Sequence, residues 1–358
     1  MSSLDELKSA LRDKPEPPPL FKGMLSTGST LLNLACSGRP SGGFARGGYY
    51  LIVGDSTSGK TVLSGTCFAE AAINPKFDNY LLVHDNAEGG ALMFEKFFGS
   101  KIAARIRPPE VDKKGNPIYS HTVEDFYYHL YDCLRGKRPV IYVLDSENSL
   151  SSEAEQKKFE KRKVAHEEET EAAGSYTDAK AKAHSQNLRG AIALLRDTGS
   201  ILIIISQTRD NLGFGFEKKT RSGGRALKFY AMLEMWSSVK RKLTRTVQGK
   251  ARTIGIVAEV QIKKNRFIGK DRTVSIPIYH SIGFDDIGGC IDYLVEEKHW
   301  SAKDGLIDAK DFSVVAYRDP LIRHIETNEL EHDLRVLVWE VWQDIEDACE
   351  VKRKPRYQ

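Results

Sequence analysis

The sequence predicts an α/β protein with a mostly parallel central sheet, antiparallel edge strands, a short N-terminal helix with an arm, and a small α-rich C-terminal domain. Three observations support this class. Apolar runs rich in β-branched residues alternate with stretches of helical periodicity, which is typical of a parallel sheet covered by helices on both faces. Two later runs follow one another without an intervening helix, which indicates antiparallel strands. A glycine-rich turn joins the first run to the first long helix.

The composition favours a folded protein of the cytoplasm. The chain has 358 residues, of which 41% are hydrophobic and 28% charged, so disorder of the whole chain is excluded. No run of about 18 apolar residues occurs, so no contact with a membrane is expected. The first residues lack the apolar centre of a secretory signal, and the five cysteines form no C-x-x-C pair. The net charge of +4 is too small to indicate a nucleic-acid partner by itself.

Residues 1–24 predict a short helix followed by an extended arm. Ser3 and Glu6 have the spacing of a capping box, and the helix of residues 3–12 has one apolar face. That face is formed by Leu4, Leu7 and Leu11. The proline-rich stretch Pro15–Leu20 cannot continue a helix. Because this segment has little core of its own, it packs either on its own domain or on a neighbouring protomer.

Apolar runs define the strands of a core domain over residues 25–285. Those that predict parallel strands are Tyr49–Val53, Tyr80–His84, Val140–Leu144 and Ile201–Ser206. Two later runs, Thr253–Lys264 and Thr273–His280, predict antiparallel strands at the sheet edge. Residues 286–358 predict an α-rich domain that contains an amphipathic helix over Leu330–Cys349 and ends in a basic tail.

The stretch Glu153–Glu171 interrupts this pattern. It holds five basic and seven acidic residues and almost no apolar face. Such a composition is typical of a solvated helix or a mobile insertion. A mobile element that contacts a partner is the alternative interpretation.

The turn Gly54–Thr61, GDSTSGKT, matches the phosphate-binding pattern G-x-x-x-x-G-K-[ST]. An apolar strand precedes it and a helical stretch follows it, which is the setting that the pattern requires. Backbone N–H groups of such a turn bind phosphates at a helix N-terminus. Lys60 would contact the β- and γ-phosphates, and the Thr61 hydroxyl would ligate Mg²⁺. The nucleotide-binding residues predicted here are Gly54, Asp55, Ser56, Thr57, Ser58, Gly59, Lys60 and Thr61.

Further polar side chains are predicted at the same edge of the sheet. Asp145 follows the third apolar run and is a candidate second ligand of Mg²⁺. Glu88 or Asp85 would orient the attacking water, and Glu88 is favoured as general base. Gln207 is predicted to end the fourth run, where an amide either senses the γ-phosphate or caps the strand.

The stretch Thr208–Arg225 follows Gln207 directly. It holds five basic residues, two acidic residues, four glycines and two phenylalanines. A basic, glycine-rich loop with aromatic residues suits single-stranded nucleic acid, because amides and cations bind phosphates and apolar rings stack on bases. By composition alone, a flexible surface loop is an equally good interpretation.

The order of these motifs resembles that of the RecA family of recombinases over about Leu25–Val295. Ser26–Ser29, STGS, precedes the phosphate turn as in that family. ISQTRDNLGFGF followed by SGGRALKFYA, within Ile205–Ala231, is closely similar to the family's second DNA-binding loop and the strand beyond. Lys263–Phe267, KKNRF, resembles the family's Lys-Asn-Lys segment. The resemblance implies a RecA-like P-loop ATPase core.

The resemblance also implies a role for each matching residue at the nucleotide. Lys60, Thr61 and Asp145 would serve ATP and Mg²⁺. Glu88 would activate water, and Gln207 would link the γ-phosphate to the loop behind it. The aromatic residues expected beside the adenine are Phe94 and Tyr279.

Two further groups of residues would contact molecules outside the nucleotide site of one protomer. Lys264 and Arg266 would reach ATP bound on the neighbouring protomer. Arg189 matches the helix after the family's first DNA-binding loop, and the resemblance implies that it would contact a phosphate. The residues expected at DNA are Arg189, Arg209, Phe216, Gly223, Gly224 and Lys228.

Three features depart from the family pattern. Glu153–Thr177 is longer and more charged than the family's first DNA-binding loop. Leu92 stands where the family has an aspartate beside the adenine. The chain ends in the basic KRKPRYQ rather than in an acidic tail. These departures indicate a divergent member, such as a phage-encoded one.

The resemblance implies an ATP-dependent recombination protein: a DNA-dependent ATPase that forms helical filaments on single-stranded DNA and pairs it with homologous double-stranded DNA. Two other functions fit the phosphate turn. One is a ring-forming DNA helicase or translocase motor, and the other is a P-loop enzyme of the kinase type that does not bind DNA. DNA-stimulated ATP hydrolysis separates the last from the other two, and filaments or rings in electron micrographs separate the first two.

Overall fold

The computed structural model describes residues 23–90, 93–167, 179–210, 219–221, 224–354 and 356. For residues 165–167, 209–210 and 219–221 the description covers the backbone only. Several predicted features lie outside the described residues: the helix of residues 3–12, the proline-rich arm, Leu92, Phe216 and Gly223.

The described strands include every strand predicted from the apolar runs. Their bounds are β1 Tyr49–Gly54, β2 Leu81–Asp85, β3 Ile106–Arg107, β4 Val140–Leu144, β5 Ile201–Asp210, β6 Lys219–Arg221, β7 Leu233–Val247, β8 Lys250–Asn265, β9 Thr273–Tyr279, β10 Gly283–Phe284, β11 Ser301–Lys303, β12 Leu306–Ala309 and β13 Val314–Tyr317. β1 and β4 are buried along their whole length, as expected for strands between two layers of helices.

The central sheet has the strand order β10–β9–β8–β7–β1–β5–β4–β2–β3, and β6 pairs with β5 outside this path. Strands β7, β1, β5, β4, β2 and β3 pair in parallel. Strands β8, β9 and β10 continue the sheet through antiparallel pairs. The predicted mostly parallel sheet with antiparallel edge strands is therefore confirmed.

Helices cover both faces of this sheet. Alternate residues of β1 enter two hydrophobic clusters: Tyr50 and Ile52 pack in one, and Tyr49 and Leu51 in the other. The described helices are α1 Thr30–Ser37, α2 Lys60–Ile73, α3 Phe94–Phe98, α4 Ser100–Ala103, α5 Val123–Leu134, α6 Glu153–Glu167, α7 Ala179–Thr198, α8 Gly224–Tyr230, α9 Asp286–Glu296, α10 Arg318–Thr327 and α11 Glu331–Ala348. Short 3₁₀ helices occupy Pro75–Phe77, Glu147–Ser149 and Lys310–Phe312. None of the helices in the described ranges is both long and apolar enough to cross a membrane.

The C-terminal region is helix-rich, as predicted, but it also contains a three-stranded antiparallel sheet, β11–β12–β13. These strands have three or four residues each, which is too short for a pattern of alternation to show in the sequence. Trp300 and Val338 of this region belong to the same hydrophobic cluster as Leu31 and Ile278. One core thus continues across residue 285, and the division into two domains there stays a prediction.

The end of β5 differs from the prediction. Gln207 does not end the strand, because β5 continues to Asp210 and its last residues pair with β6. Thr208–Arg225 is therefore not one continuous loop: it includes the end of β5, β6 and the start of α8. The charged stretch after Glu153 forms α6, whose side chains are mostly exposed as far as residue 164, in agreement with a solvated helix.

The register of the parallel strands determines which residues meet at one edge. Gly54 at the end of β1 pairs with Gln207 of β5. Leu144 at the end of β4 pairs with Ile204 of β5 and with Asp85 at the end of β2. The phosphate turn, Gln207 and the segments that follow β2 and β4 therefore share one edge of the sheet.

Candidate nucleotide and DNA site

The turn between β1 and α2 has two positions that require glycine. Gly59 has φ of 90°, and a Cβ atom there would lie 2.4 Å from Cδ1 of Ile278. A Cβ atom on Gly54 would lie 2.3 Å from the carbonyl oxygen of Ser237. The turn is therefore packed closely against the antiparallel half of the sheet, and a side chain at either position would displace it. Ser237 also donates its hydroxyl to the carbonyl oxygen of Ser58 at 2.7 Å.

Lys60 lies inside this turn. Its Nζ donates to the carbonyl oxygen of Asp55 at 2.5 Å, and the residue is buried. Burial lowers the pKa of Lys60, and the carboxylates of Glu88, Asp145 and Asp55 oppose that shift. The ammonium group thus lies in the field of carboxylates from three different segments of the chain.

Asp145 has the surroundings of a metal ligand. It is 3% exposed, and its Oδ2 lies 3.7 Å from Nε2 of His84. Its Oδ1 is buried and accepts no hydrogen bond from the described part of the chain. Because a buried carboxylate oxygen needs a donor or a cation, Asp145 fits a divalent cation. No three His, Cys, Asp or Glu side chains of the described residues form a metal-binding group, so phosphate and water would supply most of the ligands.

Glu88 and Gln207 are in direct contact. Nε2 of Gln207 donates to Oε1 of Glu88 at 2.6 Å. The main-chain N–H of Glu88 donates to the carbonyl oxygen of Asp145 at 2.9 Å, which ties the segment after β2 to the end of β4. We call Gln207 and Glu88 the amide–carboxylate pair. The structure thus places the predicted amide sensor and the predicted general base within one hydrogen bond of each other.

Asp85 has a different environment from Glu88. It is 4% exposed, and its carboxylate accepts hydrogen bonds from the Ser120 N–H at 3.0 Å, the Ser120 hydroxyl at 2.5 Å and the Tyr142 hydroxyl at 2.8 Å. A carboxylate with these donors holds β2 against β4 and the segment before α5. These hydrogen bonds favour Glu88 over Asp85 as general base, and that choice stays a prediction.

Two residues at this edge were missed by sequence reasoning. Oδ1 of Asn148 accepts from the main-chain N–H of Gln207 at 2.6 Å and from the Ser206 hydroxyl at 3.3 Å. The hydroxyl of Thr208 donates to Oδ1 of Asp55 in the phosphate turn. Their positions, just after β4 and just after Gln207, were the only sequence signal available.

The two predicted adenine neighbours lie in different surroundings. The ring of Phe94 packs on His84 and Phe68, with centroid distances of 5.1 and 6.1 Å. Tyr279 ends β9, next to the Ile278 side chain that contacts the phosphate turn. The ring contacts described here do not join Phe94 to Tyr279. Their role beside the adenine stays a prediction.

Lys264 and Arg266 lie away from the phosphate turn of their own chain. In the register of the sheet, Lys264 of β8 lies opposite Glu234 of β7, and Glu234 lies opposite Leu51 of β1. Gly54, at the end of β1, lies opposite Ser237. The two cations are therefore nearer to the start of β1 than to its end. We call Lys264 and Arg266 the cation pair.

The cation pair binds the C-terminal end of α8. Nζ of Lys264 donates to the carbonyl oxygens of Lys228 and Phe229 at 2.5 and 2.8 Å. Nη2 of Arg266 donates to the carbonyl oxygen of Phe229 at 2.6 Å. Cations at this position satisfy the last carbonyls of a helix and are favoured by its dipole.

The described DNA candidates lie in the middle of α7 and on α8. Arg189 is exposed on α7, and its Nε donates to the Tyr230 hydroxyl at 3.4 Å. Nζ of Lys228 lies 3.6 Å from Oε2 of the buried Glu234. Gly224, with φ of 72°, starts α8, and a Cβ atom there would lie 2.5 Å from Cβ of Ala181 in α7. The side chain of Arg209 lies outside the described part of the structure, as do Phe216 and Gly223.

Comparison with known proteins identifies similar sequences. A family model described as the RecA N-terminal domain matches residues 163–285. Protein RecA of Cytophaga hutchinsonii is 27% identical over 279 residues, which is 76% of this chain and 68% of the relative. Protein RecA of Borreliella afzelii is 25% identical over 348 residues, which is 94% of this chain and 86% of the relative. Protein RecA of Frankia casuarinae is 28% identical over 277 residues, which is 76% of this chain and 70% of the relative.

The fold and the phosphate turn define the class of protein, which is a P-loop protein with a mostly parallel sheet extended by antiparallel strands. Within that class, the family model and the relatives show similarity to the RecA family and support a divergent member of it. The family model begins at residue 163, beyond the phosphate turn. The interpretation of Gly54–Thr61 therefore depends on the geometry of the turn itself.

Proposed function

We propose that this protein is an ATP-dependent recombinase that forms filaments on single-stranded DNA and exchanges strands with homologous double-stranded DNA. The observation that carries the proposal is the course of β5. This strand holds Gln207 against Glu88 at the nucleotide edge and leads directly into residues 211–223, where the resemblance expects DNA. Similarity to several proteins named Protein RecA supports the same function.

The phosphate turn binds ATP. The main-chain N–H groups of Gly54–Thr61 and the ammonium group of Lys60 neutralise phosphate charge. Thr61 and Asp145 would hold Mg²⁺, which would supply positive charge to offset that of the phosphates. The buried Oδ1 of Asp145, which lacks a partner among the described residues, supports this role.

The amide–carboxylate pair couples DNA to hydrolysis. Glu88 accepts a proton from the attacking water, and the hydrogen bond from Gln207 holds the Glu88 carboxylate by Oε1, away from that role. DNA contact with residues 211–223 displaces the end of β5, so the amide leaves Glu88 and turns to the γ-phosphate. The DNA-bound state is therefore the state with a free general base, which is a population shift driven by differential contacts.

The cation pair acts on the neighbouring protomer. In its own chain it lies nearer to the start of β1 than to the phosphate turn. A head-to-tail interface that repeats along a filament brings such a surface to the nucleotide of the next protomer. Lys264 and Arg266 then exchange the α8 carbonyls for phosphate oxygens.

Residues of α7, α8 and the segment between β5 and α8 bind the DNA backbone. Arg189, Arg209 and Lys228 supply cations for phosphates, and Gly224 lets α8 begin close to α7. Because phosphate contacts carry no sequence information, binding is expected to be independent of sequence and to weaken with salt.

Electron microscopy and a strand-exchange assay test the proposed function. With single-stranded DNA and ATP the protein should form helical filaments, and a labelled homologous duplex should yield exchanged product. A heterologous duplex of equal length is the matched control and should yield none. Closed rings with duplex unwinding would instead support a motor, and ATP turnover that DNA does not affect would support an enzyme of the kinase type.

A further inference from the structure

A buried carboxylate lies directly behind the candidate nucleotide site. Glu147 is fully buried, starts a 3₁₀ helix, and follows Asp145 by two residues. Nζ of Lys180, in the first turn of α7, lies 2.9 Å from Oε1 of Glu147 and donates to its carbonyl oxygen at 2.6 Å. Since the Lys180 side chain is only 12% exposed, both charges of this pair are largely removed from water.

Two more buried groups complete this cluster. Nε2 of His184, one turn further along α7, lies 3.5 Å from Oε1 of Glu147. Nδ1 of His184 lies 3.0 Å from the hydroxyl of Tyr127 in α5. A buried ion pair adds little stability compared with apolar side chains of the same size, because its desolvation offsets its attraction. The main effect of the Lys180–Glu147 pair is therefore on the position of the segments that it joins.

The next residue connects this cluster to the amide–carboxylate pair. Asn148 accepts from the main-chain N–H of Gln207 at 2.6 Å, and the Gln207 side chain donates to Glu88 at 2.6 Å. A continuous series of contacts thus runs from the first turn of α7 to Glu88. The helix α7 begins at residue 179, directly after the charged stretch that the resemblance matches to the family's first DNA-binding loop.

We propose that Lys180 and Glu147 are positioning residues for Gln207 and Glu88, and that through them α7 transmits DNA contact to ATP hydrolysis. The inference rests on the proposed function and adds a second route to it, separate from β5. The two charges hold the 3₁₀ helix against α7. A displacement of α7 therefore moves Asn148, and with it the main chain at Gln207.

A double variant tests the proposal, because Lys180→Met alone leaves Glu147 charged and buried without its main partner. Lys180→Met/Glu147→Gln removes both charges at nearly constant volume. The ratio of the ATP turnover rate with single-stranded DNA to the rate without it should fall about tenfold, the size of a typical coupling between two sites. The KM for ATP and the thermal unfolding midpoint should stay at the parental values. Lys180→Arg, which keeps the positive charge, should keep the parental ratio. Lys182→Met, at an exposed lysine of the same helix, should also leave the ratio unchanged.

Each alternative outcome overturns the proposal. A parental ratio in the double variant shows that α7 does not act through this pair. A fall in the unfolding midpoint with a proportional loss of both rates shows a purely structural role. When Gln207→Ala is added, the ratio should fall to that of Gln207→Ala alone and no lower, because both routes act through Gln207; a ratio below that of Gln207→Ala alone contradicts this. If the parent itself is not stimulated by DNA, the proposed function fails as well, whereas stimulation of both proteins overturns only this inference.

Discussion

The two ends of the central sheet differ in whether the polar groups discussed here have hydrogen-bond partners. At the nucleotide end, Oδ1 of Asp145 and Oγ of Ser58 are buried and have no hydrogen-bond partner among the described residues. At the other end, Lys264 and Arg266 bind the last carbonyls of α8. Buried polar atoms without partners are rare in folded proteins and indicate a place for a ligand, whereas satisfied groups stabilise the fold. Substitutions of groups proposed to contact the nucleotide should therefore change turnover, and substitutions of hydrogen-bonded groups outside those proposed contacts should change stability.

The largest effect is expected at Lys60. Lys60→Met keeps the buried aliphatic stem but removes the charge that follows the transferring phosphoryl group. ATP turnover should fall by about a thousandfold or more, and the unfolding midpoint should change little. Lys76→Met, at an exposed lysine just after the same helix, is the control and should keep the parental rate. Turnover above a tenth of the parental rate in Lys60→Met would place the phosphate site elsewhere.

Glu88 and Asp85 form a second test of the comparison, because both are carboxylates near the end of β2. Glu88→Gln should lower kcat about a hundredfold with ATP binding intact, since it removes the general base. Asp85→Asn should lower the free energy of unfolding by about 1–3 kcal/mol, because it disturbs a buried, fully occupied carboxylate, with a much smaller effect on kcat. Turnover assays and urea denaturation of both variants measure this difference. The reverse pattern would exchange the two roles.

The cation pair sharpens the comparison. Its two side chains are hydrogen-bonded within their own chain, but they are proposed to contact ATP bound to the neighbouring protomer. Lys60→Met protomers and Lys264→Ala/Arg266→Ala protomers should each be inactive alone. In an equal mixture, about a quarter of the interfaces join an intact phosphate turn to an intact cation pair, so about that share of ATP turnover should return. Absence of recovery, with both variants present in the same filaments, would show that the site is complete within one chain.

The smallest effect on turnover is expected at Glu346, a satisfied carboxylate of α11. Hydrogen bonds from Arg272, at 2.5 and 2.7 Å, and from Lys270 lower the pKa of Glu346 to about 2. A carboxyl with a lowered pKa in the folded state stabilises the fold above its unfolded pKa of about 4.3, and this contribution is lost as the pH falls towards 2. Glu346→Gln should therefore cost about 2 kcal/mol at pH 7 and progressively less below pH 4 in urea denaturation. ATP turnover should be unchanged, and a parental urea midpoint at pH 7 would contradict this.

Most of the fold was accessible from the sequence because β1, β4 and the first half of β5 are continuous apolar runs. The antiparallel sheet of the C-terminal region was not, since its strands are too short to show a pattern. The extension of β5 to Asp210 was missed because Thr208–Asp210 are polar. These residues pair with β6, which lies several residues further along the chain, so the pairing cannot be seen in the local sequence.

The candidate site divides in the same way. The phosphate turn is local in sequence, so its residues could be named in advance. Asn148 and Lys180 could not, because their importance depends on contacts across 59 and 33 residues. The choice between Asp85 and Glu88 also needed the structure, because only the structure shows that the Asp85 carboxylate accepts hydrogen bonds from Ser120 and Tyr142.

The central claim is that Gln207 couples DNA to ATP hydrolysis through Glu88. The most direct measurement is the steady-state ATP turnover rate at saturating ATP, with and without single-stranded DNA, for the parent and for Gln207→Ala. The parent should be stimulated by DNA, and in Gln207→Ala the ratio of the two rates should fall to about one while the variant still binds DNA, because no amide remains to leave Glu88. Full stimulation of Gln207→Ala by DNA would contradict the claim.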